Sequence, residues 1–380
     1  MNFFELKYLK RIDFRVLPLI FSLMAMSLII MSEANSLGGM EEIVEEPFWT
    51  PLALSQLKWF FMGMVAYLLA ASFDYNKLRE WAWLLYVIMI FALAGLFFTQ
   101  QSHNVHRWYR IPGLFYVQPS ELAKLIIVIA LSWYLEKQKN NCGEFKIGMI
   151  ASVIVGIPFL LILMQPDLGS ALILFPIALV MFYFANIYSP LVKLMCVGLL
   201  FGTLLFSSIL LGVIPHEKFK PTAKLFMKEY QYQRLSPKEY HHKQAASAMA
   251  VGGLTGKGWR RGDFTTGGWL PAPQTDSVFP NFGEHFGFLG LIFLLGLFYM
   301  LLFYSFRVCT VAKDYFGQLL STGVAVYLAM HILVNIGMMC GLLPITGVPL
   351  ILITYGGSSS IVTMAALGIL QSVYSRRFMF

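Results

Sequence analysis

Glu121 and Lys124 are the first residues of this sequence whose types and spacing could do chemistry. They follow Pro119 at the start of a long apolar stretch, and because they are three positions apart they share one face of a helix. If that helix crosses a membrane, ionised groups in it are costly unless they are paired or face a watery cavity. We therefore expect both side chains to point inward, with Arg107 as a third member of the cavity. A purely structural ion-pair network is the alternative interpretation.

Asp167 stands in a tight turn between two apolar stretches, in the segment 165–169 that reads QPDLG. Aspartate is favoured at the N-cap of a helix and Pro-Asp is ordinary turn chemistry, so Asp167 could simply cap the following helix. A carboxylate at the mouth of a helical bundle could also face a substrate cavity or hold a divalent cation through its oxygens. The sequence leaves both interpretations open.

Lys257 lies in a glycine-rich segment, 252–258, that reads GGLTGKG. A phosphate-binding P-loop would need Gly in place of Val251 and Ser or Thr in place of Gly258, so a P-loop is excluded. What remains is a flexible backbone with a lysine, which could approach a pyrophosphate through main-chain N–H groups. A plain flexible loop is the alternative.

Asp276 follows a proline-framed apolar segment, 270–275, just before another apolar stretch. A carboxylate partly withdrawn from water at a membrane surface could act as a general base, whereas most aspartates in loops are turn residues. The histidines form no HExxH or other established ligand spacing, and the four cysteines form none either. The sequence therefore predicts neither a transition-metal site nor a disulfide framework.

The composition indicates which elements must position these residues. Of the 380 residues, 58% are hydrophobic and 13% are charged, whereas soluble domains have roughly 25% charged residues. A soluble globular protein is therefore excluded. The apolar stretches approach the roughly 20 residues that a helix needs to cross a bilayer, and they are apolar on every face, which also excludes an outer-membrane β-barrel. The predicted fold class is all-α, a polytopic integral membrane protein.

Hydropathy, turn residues and charge predict about ten transmembrane helices in a single domain, 1–380. The short loops on one side carry most of the Lys and Arg, which places both termini in the cytoplasm. A large basic loop, 214–284, then lies outside between spans 7 and 8. Its charge suggests an anionic ligand such as a lipid phosphate, or simply a solvated basic surface. The predicted spans are 16–34, 55–73, 80–99, 119–136, 147–164, 168–185, 190–213, 285–306, 317–340 and 350–373.

Six sequence blocks follow one another in a distinctive order along the chain. They are Arg107-Trp108, PSELAK at 119–124, QPDLG at 165–169, GGLTGKG at 252–258, LPAPQTD at 270–276, and a last block at 335–359 that contains NIGM, GLLPITGVPL and YGGSS. In this order they resemble the SEDS family (shape, elongation, division and sporulation; RodA, FtsW and SpoVE), the polytopic glycosyltransferases of bacterial cell-wall synthesis. QPDLG and the GKGW form of the loop are more similar to the elongation (RodA) type than to the division type.

The resemblance implies a peptidoglycan glycosyltransferase that polymerises lipid II during cell elongation and shape maintenance. The 4-hydroxyl of one sugar attacks the anomeric carbon of another with inversion, and undecaprenyl pyrophosphate leaves. Asp276 falls on the family's loop aspartate and would be the general base. The basic side chains of the cavity and loop would stabilise the charge on the pyrophosphate. The acidic side chains would orient those basic groups or hold a divalent cation, Mg or Mn, whose ligands are unknown. The residues expected to bind the substrate are Arg107, Glu121, Lys124, Asp167 and Lys257.

The resemblance also implies partners and a location. The expected partners are lipid II, a class B penicillin-binding protein that acts as transpeptidase, membrane proteins of the elongation complex and membrane lipids, with no nucleic acid. The expected location is the bacterial cytoplasmic (inner) membrane, crossed many times.

A few positions depart from the family's usual sequence. The segment 277–280 reads SVFP where a Phe-Ile-Phe-Ala-like run is usual, and His285 follows Glu284 where a second acid is usual. Ile351 stands in place of a second proline near the C-terminus. These changes leave Asp276 intact but alter its surroundings.

Two further functions stay open at this point. A lipid II flippase would use the charged cavity as a path, and a non-catalytic scaffold would recruit a penicillin-binding transpeptidase. A flippase needs cavity charge along the whole path, whereas an enzyme needs one carboxylate at the outer mouth. A scaffold would tolerate the loss of Asp276.

Overall fold

Ten long helices dominate the computed structural model, which describes residues 6–33, 48–98, 107–110, 116–210, 212–213 and 240–378. Two shorter helices lie between the seventh and eighth long ones. A small antiparallel hairpin pairs β1 (Tyr109–Arg110) with β2 (Tyr116–Val117) ahead of the fourth helix. The helices are α1 (Val16–Met31), α2 (Pro51–Ser72), α3 (Asn76–Gly95), α4 (Pro119–Lys137), α5 (Phe145–Met164), α6 (Leu168–Phe184), α7 (Ser189–Leu210), α8 (Tyr240–Gly252), α9 (Asp263–Thr266), α10 (Val278–Val311), α11 (Tyr315–Met339) and α12 (Gly357–Ser375).

Six of the described helices are long and apolar enough to cross a membrane: α2, α3, α5, α7, α10 and α11. Helices α1 and α6 are apolar but shorter. Helices α4 and α12 carry polar side chains that are buried among their neighbours, such as Lys124 and Gln371. A helix surrounded by other helices can carry such groups, since lipid does not touch them. The prediction of an all-α, membrane-embedded fold is confirmed.

Helix α11 lies in the interior of the bundle, whereas α7 lies at its edge. In the most apolar part of α11, 78% of the residues are buried, against 11% in α7. Helix α11 packs against α4, α6, α10 and α12. Polar side chains of α11, including His331 and Asn335, are therefore shielded from lipid and face other parts of the protein.

Helix α10 is broken at Gly287, which has a φ of 65°. At the break, the glycine-rich segment crosses the helix and bonds to its free carbonyl groups. The main-chain N–H groups of Lys257 and Gly258 donate to the carbonyl oxygens of Glu284 and His285, each at 3.0 Å. These are two of the main-chain N–H groups that the sequence analysis considered as donors to a pyrophosphate. Here they donate within the protein, to carbonyl groups that lose their helical partners at the break.

Gly256 allows this crossing, since a Cβ there would lie 2.1 Å from the carbonyl oxygen of His285. The predicted eighth span, 285–306, is wrong at its start, because α10 begins at Val278. The sequence shows an apolar run but not the loop that covers the first turns of the helix. Residues 214–239 of the predicted large loop lie outside the described residues.

The segment 341–356 is not helical, although it lies among the helices. The predicted tenth span, 350–373, is wrong at its start, because α12 begins at Gly357. Residues Leu350–Ile353 are at most 2% exposed, and the hydroxyl of Ser27 donates to the carbonyl oxygen of Ile353 at 2.7 Å. Irregular backbone at membrane depth is tolerated only where protein or water satisfies it. Apolar composition alone could not distinguish this buried segment from a helix.

Candidate functional site

Glu121 and Lys124 form a buried ion pair in the first two turns of α4. The Nζ of Lys124 lies 2.7 Å from Oε1 of Glu121, and the two side chains are 1% and 4% exposed. Both side chains therefore face the interior of the bundle. Pro119 occupies the first turn of the helix, where its missing N–H is tolerated.

His331 on α11 completes this network, and the sequence analysis missed it. Its Nε2 lies 2.8 Å from Nζ of Lys124, and its Nδ1 lies 3.2 Å from the carbonyl oxygen of Pro349. The imidazole is wholly buried. A single histidine in an apolar helix has no partner near it in the sequence, so only its intramembrane position could have drawn attention to it.

Asp167 caps α6, as one of the two interpretations of the sequence predicts, and its carboxylate faces the same region. Its Oδ1 accepts the main-chain N–H of Ser170 at 3.3 Å. Its Oδ2 accepts the hydroxyl of Ser120 at 2.9 Å and the side-chain amide of Gln118 at 3.1 Å. The start of α4 and the start of α6 are thereby joined through one carboxylate.

Arg107 holds the turn that carries Asp167. Its Nε donates to the carbonyl oxygen of Gln165 at 3.2 Å, and its Nη2 donates to the carbonyl oxygen of Pro166. A guanidinium group has five N–H donors, so these two bonds leave donors for a ligand. The side chain is half-buried.

These residues line one cavity of about 100 Å³ at the end of the bundle where α4 and α6 begin. Four of the six predicted site residues meet there, two cations and two acids. A cavity of this size has room for a few water molecules or a small polar group. The lining residues are Arg107, Trp108, Gln118, Glu121, Lys124, Asp167, Ser170, Gly347, Val348 and Pro349.

Asp276 lies at the rim of this cavity, two residues before α10. A Cβ on the cavity residue Gly347 would lie 3.6 Å from Oδ2 of Asp276, so the carboxylate and Gly347 are neighbours. The side-chain amide of Asn335 donates both to the main-chain oxygen of Asp276, at 3.3 Å, and to that of Val348, at 2.7 Å. The side chain of Asp276 remains partly exposed. Helix α11 therefore ties the predicted base to the cavity wall.

Lys257 is a predicted site residue that does not lie at the cavity, since it is not among the described residues that line it. Its side chain is 44% exposed, and its Nζ lies 3.4 Å from a carboxylate oxygen of Asp263. An exposed pair of this kind contributes little to stability, because water screens it. Lys257 is therefore free to exchange this partner for another anion.

Glu284 and His285, where the sequence departs from the family pattern, have structural partners. Glu284 accepts the main-chain N–H groups of Phe264 and Thr265, at 2.6 and 3.0 Å, and so fixes the start of α9. The Nε2 of His285 lies 3.0 Å from a carboxylate oxygen of Glu33, just after α1. An acid from a distant part of the chain thus stands beside the position where the family usually has its second acid.

The described residues contain no group of three or more His, Cys, Asp or Glu side chains that could hold a metal ion. Within the cavity, Oε2 of Glu121 is buried and has no hydrogen-bond partner among these residues. Magnesium is usually bound by one or two carboxylates together with substrate phosphates. Glu121 and Asp167 therefore fit a cation shared with a phosphate-bearing ligand.

The profile of the FtsW/RodA/SpoVE family, described as cell cycle proteins, matches residues 14–377. This chain belongs to that family. The peptidoglycan glycosyltransferase MrdB of Escherichia coli K12 is 32% identical to this member over 330 residues, which cover 84% of each chain. Stage V sporulation protein E of Bacillus subtilis is 31% identical over 85% of this chain and 87% of its own length.

Solved structures agree with this family fold. The rod shape determining protein RodA of Thermus thermophilus superposes with a TM-score of 0.70 at 24% identity, and covers 97% of this chain and 98% of its own. A chain from a peptidoglycan synthase complex gives a TM-score of 0.75 at 24% identity, with 97% and 99% coverage. The resemblance stated from sequence blocks is confirmed.

In this family member, five of the six blocks converge on the cavity, and the first of them supplies Arg107 and Trp108. PSELAK opens α4 and supplies the buried pair, while QPDLG caps α6. The last block supplies Gly347, Val348 and Pro349, and LPAPQTD ends with Asp276 beside Gly347. The glycine-rich block instead packs on the break in α10.

Proposed function

We propose that this protein is a peptidoglycan glycosyltransferase that polymerises lipid II during cell elongation and shape maintenance. The observation that carries the proposal is the position of Asp276 beside Gly347, at the rim of a cavity lined by Arg107 and Lys124. One partly exposed carboxylate thus borders a site with two cations. Transfer of a sugar from a pyrophosphate needs both a base for the attacking hydroxyl and a site that stabilises the leaving anion.

Asp276 is the general base. Its carboxylate accepts the proton of the 4-hydroxyl of the acceptor sugar as that oxygen bonds to the anomeric carbon of the donor. The bond from that carbon to the pyrophosphate breaks on the opposite side, so the anomeric centre is inverted. The hydrogen bond from Asn335 to the main chain of Asp276 supports a fixed position for this base.

Arg107 and Lys124 bind the pyrophosphate and stabilise the charge that develops as it leaves. Both side chains are held by other hydrogen bonds and still have N–H donors for a ligand. Lys257 lies outside this cavity, and its proposed contribution is to attract the anionic substrate and contact it from the loop.

A divalent cation, Mg or Mn, is part of this proposal. Glu121, through its unpartnered oxygen, and Asp167 are the residues that would hold it together with substrate phosphate oxygens. When bound, the cation would neutralise part of the negative charge on the pyrophosphate.

A flippase is the weaker alternative, because the bundle is packed beneath the cavity. Past Lys124, Val128 and Leu131 of α4 and Val324 of α11 are 0% exposed. A Cβ on Gly323 would lie 2.4 Å from a side-chain carbon of Val128. Along this interface, the described residues therefore leave no continuation of the charged cavity into the membrane.

The location and partners follow from the proposed activity. We place the protein in the bacterial cytoplasmic membrane with both termini in the cytoplasm, so that the cavity opens outward where lipid II is used. A class B penicillin-binding protein, membrane proteins of the elongation complex and membrane lipids are its proposed partners. The basic loops that the sequence assigns to the cytoplasmic side support this orientation.

The test is glycan polymerisation from purified lipid II in proteoliposomes with a divalent cation, with and without a class B penicillin-binding protein. Asp276→Asn, which is nearly isosteric, should remain folded and give no polymer. Glu144→Gln is the matched control, because Glu144 is exposed and makes no side-chain capping bond. It should polymerise as the wild type does.

The outcomes separate the three functions. Polymer from Asp276→Asn would refute its role as the base. Movement of labelled lipid II across the bilayer, without polymer even when the partner is present, would identify a flippase. A protein that neither polymerises nor moves lipid II but activates the transpeptidase would be a scaffold.

A further inference from the structure

His331 is a buried ionisable group that the proposed reaction does not use. It is 0% exposed in the middle of α11, and its ring packs edge-on against Tyr327 with the centroids 4.7 Å apart. An ionisable side chain inside a membrane bundle is costly to retain, so its contacts deserve a functional explanation. Those contacts are Lys124 on one ring nitrogen and Pro349 on the other.

The two partners fix the form of the imidazole. The carbonyl oxygen of Pro349 only accepts hydrogen bonds, so Nδ1 carries the proton. The ammonium group of Lys124 only donates, so Nε2 presents its lone pair. His331 is therefore neutral, and it acts as an acceptor for the lysine rather than as a second cation beside it.

Donor counting then gives the consequence for Lys124. One of its three N–H groups is directed to Glu121 at 2.7 Å and a second to His331 at 2.8 Å. Among the described partners, this leaves one N–H group for the cavity that Lys124 lines. The long, flexible side chain of Lys124 is thus held in one position, with one N–H group available to a ligand.

His331 also connects this lysine to the opposite wall. Pro349, its second partner, belongs to the segment that lines the cavity with Gly347. One turn further along the same face of α11, Asn335 bonds to the main chain of Val348 and Asp276. A single helix face therefore sets the position of the cation and of the base relative to each other.

We propose that His331 is a positioning residue, which holds Lys124 so that its remaining N–H group meets the pyrophosphate of the substrate. This inference rests on the proposed function, because it assigns His331 to the site of that reaction. The competing explanation is a buried polar contact that matters only for folding.

The experiment measures both the affinity for lipid II and the polymerisation kinetics of proteoliposome-embedded variants. His331→Phe keeps a ring and removes both nitrogens, whereas His331→Gln offers an amide oxygen to Lys124 and an N–H to Pro349. Val334→Ala removes buried volume from the same helix and is the packing control. Thermal unfolding is measured for each variant, so that folding and function are separated.

We expect His331→Phe to raise the KM and the Kd for lipid II by about 10- to 100-fold, which corresponds to the loss of a hydrogen bond to a charged group. The change in kcat should be smaller. His331→Gln should recover most of the affinity, and Val334→Ala should leave it as in the wild type. In a Lys124→Met background, His331→Phe should add less than about twofold, since the two residues act as one unit.

An unchanged Kd for lipid II in His331→Phe would overturn the proposal. So would a loss of affinity on adding His331→Phe to the Lys124→Met variant that is as large as the loss in the wild-type background. If His331→Phe does not accumulate in the membrane, His331→Asn takes its place under the same two criteria, because the shorter amide cannot reach both partners. The Kd needs no turnover, so wild type that binds lipid II without polymerising it would refute the proposed function and still test His331.

Discussion

Removing the charge of Lys124 discriminates between a substrate cavity and a structural ion pair. In Lys124→Met, Glu121 would lose the cation that it pairs with, at a site where its side chain is only 4% exposed. Its other oxygen already has no described hydrogen-bond partner. Breaking a buried pair by removing one partner costs about 3–5 kcal/mol, and the loss of the hydrogen bond that Lys124 donates to His331 adds to this. We therefore expect a clear drop in the unfolding temperature.

The double variant Lys124→Met/Glu121→Gln should regain most of that stability, because replacing both charges of a buried pair is often nearly neutral. It should not regain polymerisation, since the cation for the leaving group is still missing. Unfolding is followed by tryptophan fluorescence in detergent, and activity by polymer length from purified lipid II. Glu121→Gln alone shows how much of the activity depends on the acid. A double variant that is both stable and fully active would refute a role of this pair in substrate binding, and the pair would then be a structural network only.

Two further predictions concern the loop that covers α10. Gly256→Ala should destabilise the contact between the glycine-rich segment and α10, because φ is +84° and the new Cβ would lie 2.1 Å from the carbonyl oxygen of His285. Faster limited proteolysis after residue 252 checks this. Gly198→Ala, with open space around the new Cβ, is the control and should change little. Burial, and then the neighbouring His241, lower the pKa of His242 below 6.5. The unfolded chain binds a proton there that the fold does not, so α8 should lose stability as the pH falls below 6.5, and His242→Gln should reduce that loss. Hydrogen exchange of residues 240–252 measures it, and an equal pH dependence in the variant would contradict the assignment to His242.

The helices could be predicted from the sequence because the apolar stretches are long and separated by charged turns. All ten predicted spans correspond to long helices, and the two misplaced starts have different causes. The eighth span is predicted too late, because the part of α10 that precedes the break at Gly287 contains polar residues such as Asn281 and Glu284. The tenth is predicted too early, because the residues just before Gly357 are irregular backbone that other parts of the protein cover. Hydropathy reports removal from water, and it does not distinguish helix from buried loop.

The site could be predicted where neighbouring residues determine the geometry. The pairing of Glu121 with Lys124 follows from helical spacing, and the cap made by Asp167 follows from its turn. The contacts of His331 and of Glu33 join residues that are far apart in the sequence. No local pattern indicates such contacts, because they depend on how whole helices pack.

The irregular segment 341–356 can form its contacts only late in biosynthesis. It reaches back to Ser27 on α1, while Ser358 just after it donates to the main chain of Tyr116, 242 residues earlier. A ribosome has made nearly the whole chain before these bonds can form. The early helices can enter the bilayer one after another, but the cavity is complete only when segment 341–356 and α12 have been added. A product that terminates before this segment therefore enters the membrane without the wall of the cavity that Gly347, Val348 and Pro349 supply.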